Sequence, residues 1–361
     1  MKYVEEYRNR DLILGLSARI NKVAVRDYTF MEVCGGHTAA IHRFGIPSLL
    51  PKCIRLISGP GCPVCVTSRA YIDRVIACSG LKDVIVATFG DLLRIPGSET
   101  SLEKLKASGA DIRIVLSALD ALALAAGNPG KRILFPAIGF ETTAPGTAVT
   151  IKEAEKAGVK NFFVLSAHKI MPPAMELLIK DGVRLDGFIC PGHVAAVTGS
   201  RIFSFIPQDY GLGCVVTGFE PTDLLHAVYM LVQQVNTQKP DIQIQYSRAV
   251  TYSGNETAVS LMDEVFVRTD DYWRGFGIIP GSGLKPARKY ERFDAGLAMP
   301  VTVITSEDDG ACICGEILRG IKSPGQCALF AKRCRPDNPV GACMVSNEGA
   351  CNTFYKYRPD A

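Results

Sequence analysis

This chain has no run of apolar residues approaching the roughly 18 that a membrane-crossing helix needs, so a membrane-spanning role is not expected. It also lacks a basic stretch with interleaved aromatics: 40 Lys+Arg stand against 36 Asp+Glu, a scattered net +4, and nucleic acid is not an expected partner. The opening Met1-Lys2-Tyr3-Val4-Glu5-Glu6-Tyr7-Arg8 has no apolar core of the secretory kind, which puts the expectation in the cytoplasm. Nucleotide loops are missing too. Gly59-Pro60-Gly61 lacks the third glycine of a dinucleotide fingerprint, and Gly127-Asn128-Pro129-Gly130-Lys131-Arg132 has neither the spacing nor the Ser or Thr of a phosphate loop. No low-complexity linker and no internal repeat breaks the 361 residues, a length that suits two or three domains.

What is present in quantity is cysteine. Six of the 13 cysteines crowd near the carboxyl terminus, at Cys312, Cys314, Cys327, Cys334, Cys343 and Cys351. Cytoplasmic thiols are kept reduced, so this is not a disulfide framework, and thiolate ligation of zinc or an iron–sulfur cluster is the leading reading.

From about residue 28 to about 236, short β-branched or aromatic runs alternate with amphipathic stretches, the pattern of βα units on a parallel sheet. Strands are expected at Tyr28–Val33, Cys53–Ser58, Val84–Phe89, Ile112–Leu116, Arg132–Ala137, Asn161–Ser166, Gly187–Cys190 and Gly213–Thr217. The turn-rich Ala126-Gly127-Asn128-Pro129-Gly130-Lys131 divides these units into comparable groups. The expected fold is therefore α/β: two Rossmann-like parallel-sheet lobes, residues 1–130 and 131–240, flanking a cleft. Beyond about residue 240 the rhythm shifts to Gly, Pro and Cys, and a smaller, irregular metal-binding domain is expected over 241–361.

Ligands of open parallel sheets gather at the carboxyl ends of the strands, so polar residues there carry weight. Cys34-Gly35-Gly36-His37 follows the first strand and Cys62-Pro63-Val64-Cys65 the second, with Asp91, Glu141, His168, His193 and Glu220 at later strand ends. Two glycines between Cys34 and His37 let a ligand approach closely and would expose both side chains on one rim, where thiolate and imidazole can hold iron. A catalytic Cys–His pair and a core cysteine are the competing roles. Cys62 and Cys65 precede a helical pattern, Thr67–Ala77, whose first N–H groups would lower a thiol pKa and make a reactive dithiol; buried small residues in a tight turn are the alternative. His168 and His193 suit a structural hydrogen bond as well as a functional role, and Glu141 and Asp91 suit helix capping equally. Cys53, Cys78, Cys190 and Cys214 lie in apolar surroundings and read as core.

Phe30-Met31-Glu32-Val33-Cys34-Gly35-Gly36-His37-Thr38, Gly59-Pro60-Gly61-Cys62-Pro63-Val64-Cys65, Gly139-Phe140-Glu141-Thr142-Thr143-Ala144-Pro145, Pro191-Gly192-His193-Val194 and Gly341-Ala342-Cys343-Met344-Val345-Ser346-Asn347-Glu348-Gly349-Ala350-Cys351 together resemble the [NiFe]-hydrogenase maturation family HypD, over essentially the whole chain. That family holds a [4Fe-4S] cluster on four cysteines separated by 14, 6 and 16 residues, intervals that Cys312, Cys327, Cys334 and Cys351 reproduce while Cys314 and Cys343 do not. The resemblance implies a scaffold on which the Fe(CN)2CO moiety is assembled with a HypC-type small chaperone, visited by a HypE-type cyanide donor. It implies Cys34 as a ligand of the transient iron with His37 close by, and Cys62 and Cys65 as a thiol–disulfide couple exchanging electrons with the cluster. A cluster-dependent thiol–disulfide reductase is the rival from the enzyme class. A purely structural zinc site in the tail is the third reading, because four thiolates suit zinc as well as iron.

Overall fold

The computed structural model describes residues 5–303 and 310–357, so the first four residues of the charged opening lie outside the described residues. Eleven strands form two sheets among them. The strands are β1 (Tyr28–Glu32), β2 (Ile54–Ser58), β3 (Val84–Thr88), β4 (Ile112–Ile114), β5 (Arg132–Gly139), β6 (Phe162–Lys169), β7 (Gly187–Pro191), β8 (Gly213–Thr217), β9 (Ile242–Ile244), β10 (Phe266–Trp273) and β11 (Gly277–Pro286). All eight strands expected from the sequence are present. Their apolar runs sit inside α/β layers: β3, β7 and β8 are buried along their full length, as strands covered on both faces must be.

The first sheet has the order β2-β1-β7-β8-β9, parallel throughout. The second has the order β10-β11-β6-β5-β3-β4, parallel from β6 to β4 and antiparallel where the β10–β11 hairpin joins β6. The sheets cut across a division at residues 130 and 240. Residues before 130 contribute β1 and β2 to one sheet and β3 and β4 to the other, while β7 to β9 return to pair beside β1. The turn-rich segment near 130 is an ordinary helix-to-strand connection. It joins the helix Ala118–Gly127 to β5, and the Asn161 side-chain amide donates to Ala125 O, Asn128 O and Lys131 O, which ties it down.

A continuous apolar core also runs through residues of both sheets, including Met31 and Val33 of one and Val84, Val86 and Leu134 of the other. Helix Pro221–Thr237 buries Leu224, Leu225, Val228 and Leu231 against the first sheet. Of the irregular third region, β9 extends the first sheet and the hairpin extends the second, and the described residues from 310 onward make short helices around the cysteines. No helix among the described residues is long and apolar enough to cross a membrane.

Candidate functional site

β1 delivers Cys34 to the N-cap position of the helix Gly35–Arg43. The backbone N–H groups of His37 and Gly36 reach its sulfur, which favours the thiolate, but burial dominates and pushes the thiol up to about 12. Cys34 is a neutral thiol at physiological pH. The expected open rim is not what forms: Cys34 is 8 % exposed and His37 is fully buried. The surroundings of Cys34 are nevertheless polar. Cys34 N–H donates to Glu32 Oε2 (3.0 Å), the Thr38 hydroxyl donates to Glu32 Oε1, and burial lifts the Glu32 carboxyl to about 8.

His37 turns inward because its Nε2–H finds two carbonyls at the end of β8, Thr217 O at 3.3 Å and Gly218 O at 3.1 Å. Burial lowers its pKa to about 4, so the ring is neutral, and Nδ1 keeps a lone pair without a hydrogen-bond partner among the described residues. Phe219 stacks on His37 at 4.6 Å and on His193 at 3.8 Å, which carries the aromatic layer outward to an exposed imidazole in the first turn of the helix Gly192–Thr198. Glu220, beside Phe219, caps the helix Pro221–Thr237 and holds Arg8 through two hydrogen bonds.

Above Cys34 lies a cleft of about 540 Å3. Gly36 is part of its floor, and a methyl group placed there would stand 3.6 Å from Cys34 Sγ, so the sulfur lies just beneath. The walls come from His193, Phe219 and Glu220 on one side and Asn347, Glu348 and Lys356 on the other. The cleft thus opens between the first sheet and the cysteine-rich segment, and no lining residue belongs to the second sheet. Partial desolvation raises the pKa of Glu348, and the charge of Asp91, exposed in the turn after β3, adds to it.

The turn carrying Cys62 is sewn to the turn carrying Cys34. Gly35 N–H donates to Gly61 O (2.9 Å), and Gly61 is packed so tightly that a Cβ would fall 2.1 Å from Cys34 N. Cys62 caps the four-residue helix Pro63–Val66, with Cys65 N–H donating to Cys62 Sγ at 3.3 Å; the longer expected helix is Arg69–Ser79. The expected depression of the thiol pKa fails at Cys65, where burial pushes it well above the ordinary range, because one turn of helix offsets little of the desolvation.

Cys65 hydrogen-bonds to Cys343, Cys343 Sγ lies 2.7 Å from Cys314 Sγ, and Cys314 hydrogen-bonds in turn to Cys312. The two tail cysteines with no place in the interval pattern therefore form an unbroken row of sulfur between the Cys62–Cys65 pair and Cys312. Sequence spacing missed this role, since only the packing of Ala342–Val345 against Pro63–Val66 creates it.

A family model described as HypD, hydrogenase formation hypA family, matches residues 11–358. The chain belongs to the HypD family of hydrogenase maturation factors. It is 44 % identical to the hydrogenase maturation factor HypD2 of Bradyrhizobium diazoefficiens, over 99 % of this chain and 97 % of that protein. It is 44 % identical to the hydrogenase maturation factor HypD of Cupriavidus necator and 45 % identical to that of Azotobacter vinelandii, with the same coverage in each case.

In this HypD-family chain Cys312, Cys327, Cys334 and Cys351 line one cavity, together with Cys314, Cys343 and the apolar Ile317, Leu329, Phe330 and Met344. Among the described residues, no three His, Cys, Asp or Glu side chains are drawn together as a single bare ion would require. An all-thiol donor set around an apolar void could hold a soft, polynuclear group. The second sheet gathers none of this chemistry. His168 lies within β6, where its Nε2 bonds the Thr147 hydroxyl (2.9 Å) and burial lowers its pKa to about 4. Glu141 is buried after β5, accepts Met171 N–H at 2.8 Å, and is lifted to about 7 by desolvation, with Oε2 unpartnered among the described residues. Cys78, Cys190 and Cys214 are core residues as expected, while Cys53 is partly exposed.

Proposed function

We propose that this maturation factor is the scaffold on which an Fe(CN)2CO cargo is assembled for the [NiFe]-hydrogenase site, with Cys34 as the cargo's protein ligand. The observation that carries the reading is the stitching of the Cys34 turn, whose Gly36 floors the cleft, to the Cys62–Cys65 turn behind it. A neutral, buried Cys34 thiol gives up its proton when it ligates ferrous iron, and the N–H groups of Gly36 and His37 then stabilise the thiolate. Nδ1 of His37 is the nitrogen left available once Nε2–H is committed to the β8 carbonyls. The cleft above is wide enough to admit a chain terminus or loop of a HypC-type chaperone, and a HypE-type cyanide donor would act at the same mouth.

Closing a bond between Cys62 Sγ and Cys65 Sγ releases two electrons and two protons, which is the redox chemistry these residues contribute. Cys312, Cys327, Cys334 and Cys351 fit a [4Fe-4S] cluster by donor type, by shared cavity and by apolar surround, and such a group supplies one-electron redox chemistry when bound. Cys343 and Cys314 span the distance between the two sites. The row of thiols equally favours a second reading, a cluster-dependent thiol–disulfide reductase in which Cys34 has no part.

Infrared spectroscopy of the anaerobically copurified complex with the small chaperone separates the two. Cys34→Ala is expected to remove the CN and CO bands completely while visible absorbance from the tail is unchanged. Retention of the bands in that variant would overturn the ligand role, and catalytic reduction of a protein disulfide by Cys34→Ala protein would favour the reductase.

A further inference from the structure

β2 is the last strand of the first sheet, so one of its two sides has no partner strand among the described residues. Along that side lies a groove of about 430 Å3. The ladder fixes which groups face it. Tyr28 N–H donates to Cys53 O and Gly59 N–H donates to Glu32 O, so Cys53, Arg55, Ile57 and Gly59 turn their peptide groups toward β1. Leu56 and Ser58, lying between them, turn N–H and C=O outward. An open edge of this kind is commonly blunted by a bulge, a proline or a covering element. Here it is left open among the described residues beside a trough lined by His42 and Phe354, whose rings meet edge to face at 5.9 Å, and by Gly320 and Ile321 of the cysteine-rich region.

The charge of the trough has one sign. Arg55 and Lys322 line it and no Asp or Glu does. Arg55 is exposed and makes no ion pair among the described residues, while Lys322 pairs with the half-buried Glu316 at 2.6 Å, so Arg55 is the chief free cation of the trough. No residue lines both this trough and the cleft over Cys34.

We propose that the trough takes an extended, acidic segment of a partner polypeptide, which adds to β2 as a further strand. Leu56 and Ser58 supply the main-chain hydrogen bonds, and Arg55 and Lys322 select carboxylates on the incoming strand. The inference does not depend on what Cys34 binds.

Amide hydrogen exchange of the full chain at low ionic strength tests it, with a capped hexapeptide of alternating valine and glutamate as probe and its valine–lysine counterpart as control. The acidic peptide is expected to slow exchange at Leu56 and Ser58 on the order of tenfold, an effect lost in high salt, and the basic peptide is expected to leave both amides unchanged. Leu56→Pro deletes an outward donor while keeping the groups that bond β1, and should abolish the protection. If circular dichroism finds that variant unfolded, Arg55→Glu decides, with acidic-peptide binding weakened about fivefold or more. Equal protection by both peptides, or by neither, overturns the proposal. So does protection by inorganic phosphate alone, which would make this an anion site, or protection that grows with protein concentration without peptide, which would make the occupant a second copy.

Discussion

At the carboxyl end of the first sheet a cleft lined by Gly36 and His193 opens above the buried Cys34, whereas at the corresponding end of the second sheet Glu141, His168 and Lys169 are buried. The two ends are built from the same kind of βα unit. What separates them is the β10–β11 hairpin, which joins β6 and brings Asp271 and Tyr272 onto the Lys169 ammonium and Phe266 against the His168 ring. A covered sheet end becomes core, and its polar residues become structural. Among the described residues the first sheet has no hairpin of its own; the turn of the β10–β11 hairpin touches it at Val66 and Thr67, and the cysteine-rich segment lies over the Cys34 turn, which leaves a cleft. Position at a strand end is therefore only half of a site; the other half is what the rest of the chain lays over it.

The sharpest way to break this comparison is to disturb each end by one methyl group. Gly61→Ala forces a Cβ into the backbone of Cys34 and is expected to cost more than about 3 kcal/mol, because neither turn can yield without breaking the hydrogen bond between them. Gly139→Ala, at the end of β5, brings its Cβ to 2.5 Å from Thr143 Cβ, a clash with a side chain and not with backbone, and should cost less, about 2 kcal/mol. Urea unfolding of both variants checks the difference, and a stable Gly61→Ala protein would show that the two turns are not rigidly joined.

A second contrast lies within the buried end. Lys169 is almost wholly enclosed, and burial lowers its pKa although Asp271 raises it. Asp271→Ala leaves that ammonium without its counter-charge and should destabilise by about 2–3 kcal/mol, while Lys169→Met, which removes the charge and keeps the length, should cost less than about 1 kcal/mol. Equal losses would mean that the pair is held for its packing alone.

The smallest effect is a pH dependence. Burial lifts Glu141 to about 7, so above its ordinary 4.5 the folded protein holds a proton that the unfolded chain has released. Stability from this group is fully present at low pH and falls as pH rises from about 4.5 to about 7. Buried His168 and His37 act in the opposite sense: their pKa values near 4 mean that stability falls as pH drops from 6.5 toward 4. Glu141→Gln should remove its share of the fall toward high pH and leave the share of Glu32, whose pKa near 8 acts in the same sense, as read from urea midpoints between pH 4 and pH 8.

The elements of the fold were largely legible and their arrangement was not. Apolar runs such as Val84-Ile85-Val86-Ala87-Thr88 mark a strand because both faces are buried, but nothing local tells β7 to rejoin β1 across the intervening second sheet. β10 and β11 escaped notice for a different reason. Along Phe266–Trp273 only the two ends are buried and the middle is charged, so neither alternation nor a continuous apolar run betrays it. Cys34 and the Cys62–Cys65 pair could be read from their glycine- and proline-rich turns. The inward rotation of His37 could not, since it depends on carbonyls 180 residues away in the chain. Nor could the linking position of Cys314 and Cys343, which no spacing rule distinguishes from other tail thiols.

That sulfur row has a further consequence. Cys65, Cys343 and Cys314 are at most 5 % exposed, so dissolved glutathione, peroxide or an alkylating reagent has no path to them in the folded molecule. Should the proposed redox exchange run along this row, it would pass through a part of the molecule shielded from dissolved thiols.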